Sequence, residues 1–241
     1  MIVSDMTMNE FERALARTRV ALLPVGSVEE HGAHLPLGTD TLQVWEVARR
    51  AAERVPALVC PPVAYGYCRS TRDHPGTLSI RPETVRALVL DIGRELARQG
   101  VRGIVIVSGH AGGIHMAALE EAAERLLESE PDLHVAVVCE YRWAQEVGRE
   151  GVVETPDDGH AGEIETSRIM AVAPGLVKGT SPEEYPRFER PFVPRHKRRQ
   201  WPGGVWGNPG AADPDKGRRL LEGCVERLAG LIREMEARVR G

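Results

Sequence analysis

Gly103-Ile104-Val105-Ile106-Val107-Ser108-Gly109-His110-Ala111-Gly112-Gly113 decides the fold. An apolar strand ends in a polar, glycine-rich turn, and a helix is predicted directly after it, over Ile114 to Ser129. The same pattern recurs along the chain, with apolar runs of roughly four to eight residues alternating with longer amphipathic segments. Strands are predicted near Val20 to Val25, Leu58 to Ala64, Gly103 to Val107 and Leu133 to Cys139. Helices are predicted near Met8 to Arg17, Thr41 to Arg54, Pro82 to Gln99, Ile114 to Ser129, Glu163 to Ala173 and Asp215 to Arg238. Thr7 and Glu10 have capping-box spacing, Pro82 suits a first helical position, and Gly100 suits the left-handed position after a helix. The alternation implies an α/β fold with a largely parallel sheet flanked by helices, which puts His110 at the carboxyl edge of the sheet, where open α/β folds place their sites.

Composition narrows the function. The chain has 241 residues, is 42% hydrophobic and carries a formal charge of −4, as suits one compact domain over residues 1–241. Acidic residues outnumber basic ones, 35 to 31, so a general nucleic-acid footprint is absent. No segment approaches membrane-spanning length. Cys60, Cys68, Cys139 and Cys224 are widely spaced and form no CxxC pair, which argues against a zinc ribbon or disulfide framework and for a reducing, cytoplasmic setting. Between Pro174 and Pro214 the sequence is rich in Pro, Gly and basic residues with little periodicity, so this segment is expected to be functional or to pack between subunits of a homo-oligomer through Phe188, Phe192, Trp201 and Trp206.

A second chemical group follows the first predicted strand. Glu29, His31 and Asp40 lie in Pro24-Val25-Gly26-Ser27-Val28-Glu29-Glu30-His31-Gly32-Ala33-His34-Leu35-Pro36-Leu37-Gly38-Thr39-Asp40. Acidic and imidazole side chains that leave a buried strand, interrupted by Gly and Pro, can converge on a cation; the plainer reading is a polar surface loop. His110 would face the same crevice. A phosphate-cradling turn at Ser108 to Gly113 is the other reading, although neither GxGxxG nor a P-loop is present. A third group, Asp157-Asp158-Gly159-His160-Ala161-Gly162-Glu163-Ile164-Glu165, opens a helix. His160 between glycines has little core to pack against and is available for proton transfer, while Glu165 is either a first-turn acid offsetting the helix dipole or a functional group.

Peripheral candidates have weaker signals. Arg69, Ser70 and Arg72 are placed to grip an anionic or carbonyl-bearing substrate, or they form an exposed turn. Trp201 and Trp206 stack on substrate or fill an interface. Arg195 to Arg199 reads as a solvated loop or subunit contact more readily than as a phosphate clamp. His34 is read as a partner of a ligand rather than a ligand, His115 as structural, and Cys68 as a poor nucleophile beside a metal site.

Five segments in order resemble the creatininase family of metal-dependent amidohydrolases: Pro24 to Thr41, Tyr65 to Ile80, Ser108 to Gly113, His160 to Ser167 and Gly204 to Lys216. The resemblance implies an α/β fold, a hexameric assembly, and hydrolysis of C–N amide bonds at a site with two divalent metals. It also implies metal ligands at Glu29, His31, Asp40 and His110, with Asp40 bridging, and a catalytic acid/base role for His160. Creatinine-hydrolysing members carry a glutamate two residues after the SGH-type histidine, where this chain has Gly112, and aromatic residues near the site, where this chain has Ala111 and Pro156. Glu163 is expected to supply the missing carboxylate and complete the second metal site. Three carboxylates and two imidazoles suit Zn²⁺, Mn²⁺ or Fe²⁺.

The expected activity is therefore hydrolysis of a small amide, cyclic or formyl-bearing, with creatinine disfavoured. Two other readings stay open. One is the deformylase branch of the family, acting on a formylamino-pyrimidine nucleotide of flavin and deazaflavin biosynthesis, whose phosphate would engage Arg69 and Arg72. The other is a non-catalytic binding or scaffold protein.

Overall fold

The computed structural model describes residues 1–189 and 191–241. Strands β1 (Val20–Val25), β2 (Leu58–Val59), β3 (Gly103–Ser108) and β4 (His134–Cys139) form one parallel sheet in the order β2-β1-β3-β4. Its register aligns Val20 with Gly103 and Val25 with Ser108, then Gly103 with His134 and Ser108 with Cys139. β1 and β3 are buried along their whole length, as continuous apolar runs in a sheet covered on both faces should be. Around it lie α1 (Met8–Leu15), α2 (Thr39–Arg54), α3 (Pro82–Arg98), α4 (Gly113–Ser129), α5 (Glu140–Arg149), α6 (Glu163–Val172) and α7 (Pro214–Arg240). Among the described residues this is a single α/β domain.

Local chemistry fixes several ends. Thr7 and Glu10 form the reciprocal capping box that starts α1, and Pro82 opens α3. Gly100, at φ 103°, supplies the left-handed residue after α3. The strand expected over Leu58 to Ala64 stops at Val59, because Pro61 and Pro62 have no N–H to give the ladder; pairing resumes only at Val63, whose N–H donates to the Pro24 carbonyl at 2.9 Å. Helix α5 was not expected. It leaves β4 without any Gly or Pro to mark the junction, and Tyr141, Ala144, Val147 and Gly148 form its buried face.

The described residues of the segment from Pro174 to Pro214 hold only short 3₁₀ turns. The segment contributes to the interior of its own chain: Trp201 and Val205 are buried, and Val205 packs in a small cluster with Leu35, Ala161 and Ile169. The Trp201 indole N–H donates to the Val205 carbonyl at 2.6 Å. Phe192 and Val193 remain 70% exposed.

Candidate metal centre

The sheet order reverses between β1 and β3: the chain leaves β1 toward β2 on one side and reaches β4 on the other. Their carboxyl ends, Val25 and Ser108, are paired neighbours, so a crevice opens there. The first turn of α2 fills it. Gly26 and Gly109, the residues leaving β1 and β3, touch the backbone of Thr41 and Asp40 so closely that a Cβ at either position would collide with it. These glycines let Asp40 stand between the two strand ends. Glu29 and His31 arrive from β1 and His110 from β3.

Both ligand-type histidines are oriented by backbone carbonyls. His31 Nδ1 lies 3.1 Å from the Glu29 carbonyl and His110 Nε2 lies 3.1 Å from the Tyr67 carbonyl, so each donates its N–H there and turns its other nitrogen toward carboxylates. His110 Nδ1 is 2.9 Å from Glu29 Oε2 and 3.2 Å from Asp40 Oδ2. His31 Nε2 is 3.3 Å from Asp40 Oδ1 and 3.6 Å from Glu165 Oε1. Asp40 thus presents one oxygen to each of two lobes, Glu29/His110 and His31/Glu165. Ser27 fixes it by donating to Oδ2 at 2.6 Å.

Electrostatics calls for cations here. Burial works against charge on each of these groups, yet Glu165 and Asp40 raise the His31 pKa well above its ordinary value, and Glu29 and Asp40 do the same for His110. The Asp40 pKa is correspondingly lowered by the two imidazoles despite its burial. His31 Nε2 and Glu29 Oε2 are buried without a hydrogen-bond partner. Orphaned donor atoms of hard and borderline character, converging from rigid elements, fit divalent ions in both lobes.

His160 borders the second lobe. Its ring stacks on His31 at a centroid distance of 4.2 Å, and its Nε2 donates to the Glu30 carbonyl at 2.8 Å and lies 3.6 Å from Glu30 Oε1. Burial and the His31 imidazole oppose its protonation, but Glu30 and Glu29 outweigh them and raise its pKa. Ala161, in the left-handed region at φ 49°, turns the chain so that its N–H donates to Glu165 Oε2 at 2.6 Å.

One sequence expectation is corrected. Glu163 does not join the cluster: it faces the opposite side of α6, with Oε1 accepting from Lys216 Nζ at 2.7 Å and Oε2 from the Thr155 N–H at 2.7 Å. Its neighbour two positions on, Glu165, occupies the lobe instead. Residues two apart on a helix point about 200° from one another, so only one could face the crevice. Lys216, the counter-ion that holds Glu163 away, comes from the distant α7. Asp158, not Glu165, caps α6, accepting from the N–H groups of Glu163 at 2.7 Å and Ile164 at 3.0 Å. Arg69 and Arg72 are exposed, on the same loop whose Thr71 hydroxyl donates to Glu29, and Ser70 accepts from Lys197 Nζ at 3.1 Å.

The remaining candidates have clear surroundings. Trp206 is 36% exposed and lines a cleft of about 720 Å³ with Tyr185, Arg149, Arg187 and Gly159, next to His160. Trp201 is buried, its ring edge-on to His160 at 5.3 Å, so it walls the site and does not stack on a substrate. His34 bridges Thr166 at 2.8 Å and Ser181 at 2.9 Å. His115 is fully buried, held near neutral form by burial, with its pKa down to about 3. Burial pushes the Cys68 thiol up to about 12, which excludes a free thiolate nucleophile. A Cβ at Gly112 would come within 2.5 Å of His110 Nε2, so the ring of His110 occupies the space a side chain there would need.

Comparison with known proteins agrees with this architecture. The Creatininase family model, described as creatinine amidohydrolase, matches residues 4–232. Creatinine amidohydrolase of Pseudomonas putida is 33% identical over 258 aligned positions, covering 97% of this chain and 96% of that protein. Mycofactocin precursor peptide peptidase of Mycolicibacterium smegmatis is 34% identical over 229 positions, covering 87% and 84%. A solved creatininase variant of Zn-Zn type superposes with a TM-score of 0.85 at 31% identity, covering 98% of each chain.

Proposed function

The chain belongs to the creatininase family and is a metal-dependent amidohydrolase acting on C–N bonds, and from that premise we propose that it works with two divalent ions, Zn²⁺, Mn²⁺ or Fe²⁺, gathered around Asp40. The observation that carries this reading is Asp40 itself, with one oxygen facing each lobe while His31 Nε2 and Glu29 Oε2 lie buried and unpartnered beside it. Glu29, Asp40 and His110 would hold one ion, and His31, Asp40 and Glu165 the other. Such ions supply a Lewis acid for the amide carbonyl and a nucleophilic water at neutral pH.

The chain's own residues do the rest. Tyr67 and Glu29 carbonyls lock the imidazole tautomers, and Ser27 and Thr71 hydroxyls, donating to Asp40 and Glu29, keep the carboxylates from rotating. His160, its Nε2–H held by the Glu30 carbonyl, delivers a proton to the departing nitrogen as the imidazolium. Glu30, whose Oε1 is buried without a hydrogen-bond partner, favours the charged imidazolium that makes this delivery possible. Trp201 keeps bulk water from the far side of the ring.

The substrate is a small amide. Creatinine turnover is expected to be weak, because the glutamate of creatinine-hydrolysing relatives is replaced by Gly112, whose neighbouring space His110 fills. The nucleotide deformylase reading has no specific observation in its favour, Arg69 and Arg72 being exposed. A scaffold role sits poorly with an intact, oriented donor set. Four free, buried cysteines accord with a reducing, cytoplasmic setting, and no helix among the described residues is long and apolar enough to cross a membrane. Phe192 and Val193 offer the apolar surface for a homo-oligomer, hexameric by family analogy.

The test is a metal-reconstituted screen of creatinine, cyclic ureides, formamides and short peptides. On whichever amide is cleaved, His160→Ala should lower kcat by about 10²–10⁴ with metal content retained. An unchanged kcat would remove His160 from the mechanism.

A further inference from the structure

Cys68 is fully buried beside the Glu29/His110 lobe. Its Sγ, a Glu29 carboxylate oxygen and a His110 ring nitrogen all fall within 4.8 Å of one another, and all three residues are buried. In a tetrahedral zinc site with one sulfur, ligand atoms stand roughly 3.5 Å apart, so a small inward movement of the side chains closes the triad on one ion. The loop around Cys68 is built onto this lobe from both sides. The preceding carbonyl, of Tyr67, accepts from His110 Nε2 at 3.1 Å. Three residues on, the Thr71 hydroxyl donates to Glu29 Oε1 and leaves Oε2 orphaned beside His110. The backbone N–H of Cys68 is itself pinned by Ser79 Oγ at 2.9 Å. A residue whose neighbours orient both other donors, and whose own backbone is fixed, aims its side chain into the same space.

We infer that Cys68 is a thiolate ligand of the ion in the Glu29/His110 lobe, which makes that lobe soft while the His31/Glu165 lobe stays hard. On metal binding the S–H bond breaks, an S–metal bond forms and the proton leaves to solvent, with no change of oxidation state. Two dications meet three carboxylates in the cluster, and a thiolate balances the last positive charge. A soft donor favours Zn²⁺ or Co²⁺ over Mn²⁺ at this lobe alone, so the two positions differ in metal preference. A buried cysteine serving only as a small apolar residue would have no such effect.

The inference rests on the proposed metal centre and separates from it experimentally. Wild-type and Cys68→Ser proteins are loaded anaerobically with Co²⁺, and bound cobalt is measured alongside the near-ultraviolet spectrum. The expected result is a thiolate-to-cobalt charge-transfer band in the wild type that vanishes in Cys68→Ser. Zn²⁺ competition should show the lobe losing more than the about 10–100-fold that removal of an outer-shell partner costs. Cobalt bound without the band, or a band that survives in Cys68→Ser, overturns the thiolate assignment and leaves the metal centre standing. Absence of bound cobalt from the wild type overturns both. Should Cys68→Ser fail to fold, the wild-type spectrum and its cobalt content still decide.

Discussion

Glu163 and Glu165 differ by two positions and have opposite fates. Glu163 is fully buried against Lys216 and Thr155, which hold its pKa down against the cost of burial; Glu165 turns to His31. Glu165→Gln should therefore cost one ion per chain and spare the other, whereas Glu163→Gln should leave metal content unchanged and lower the unfolding temperature, both read by element analysis and calorimetry. Equal metal loss in the two variants would restore Glu163 as a ligand. Asp158 adds a pH dependence at the same helix start. Burial raises its pKa from 3.8 to about 7, so the native state holds this proton more tightly than the unfolded chain does. The stability it contributes is full below pH 3.8 and is lost as pH rises through about 7. Asp158→Asn, which still accepts an N–H, should flatten the fall in unfolding temperature across that window in metal-free protein. At this scale the grouping of Glu29, His31, Asp40, His110 and His160 was legible because Glu29, His31 and His110 follow strands, His160 sits in a glycine-flanked turn, and Asp40 opens the helix that follows the first of these loops. The choice between two acids on one helical turn was not, since a lysine 53 residues away makes it.

Elements carry these residues into place through close backbone contact. α2 enters between β1 and β3 only because Gly26 and Gly109 have no Cβ to strike Thr41 and Asp40. Gly109→Ala should push the first turn of α2 outward, costing about 1–3 kcal/mol by overpacking and lowering the affinity of both ions, because Asp40 serves both lobes. Denaturant unfolding with a metal titration checks this; a loss of stability with full metal affinity would show that Asp40 does not depend on that contact. Strand and helix positions were readable where Gly, Pro or a cap punctuated the chain, as at Thr7, Pro82 and Gly100. α5 begins without such punctuation, and the early end of β2 turns on the missing N–H groups of Pro61 and Pro62. The Pro174 to Pro214 segment has no period to read, and its inward residues, Trp201 and Val205, are set by contacts with distant parts of the chain.

For the whole molecule, the order β2-β1-β3-β4 puts the reversal point of the sheet, and hence the cluster, at one rim of the domain. The sequence implied this parallel α/β arrangement through its alternating pattern, and the resemblance of five ordered segments extended it to the chemistry. Assembly follows from surface: with Phe192 and Val193 both 70% exposed, light scattering of dilute protein should report a homo-oligomer, and a stable monomer would contradict it. The central claim is that Asp40 joins two cation sites. Its most direct test is the metal stoichiometry of anaerobically reconstituted wild-type protein beside Asp40→Ala, whose loss of one carboxylate strips a donor from both lobes. Two divalent ions per wild-type chain and close to none in Asp40→Ala is the predicted result; full and equal occupancy in both proteins, or no stoichiometric metal in the wild type, would contradict it.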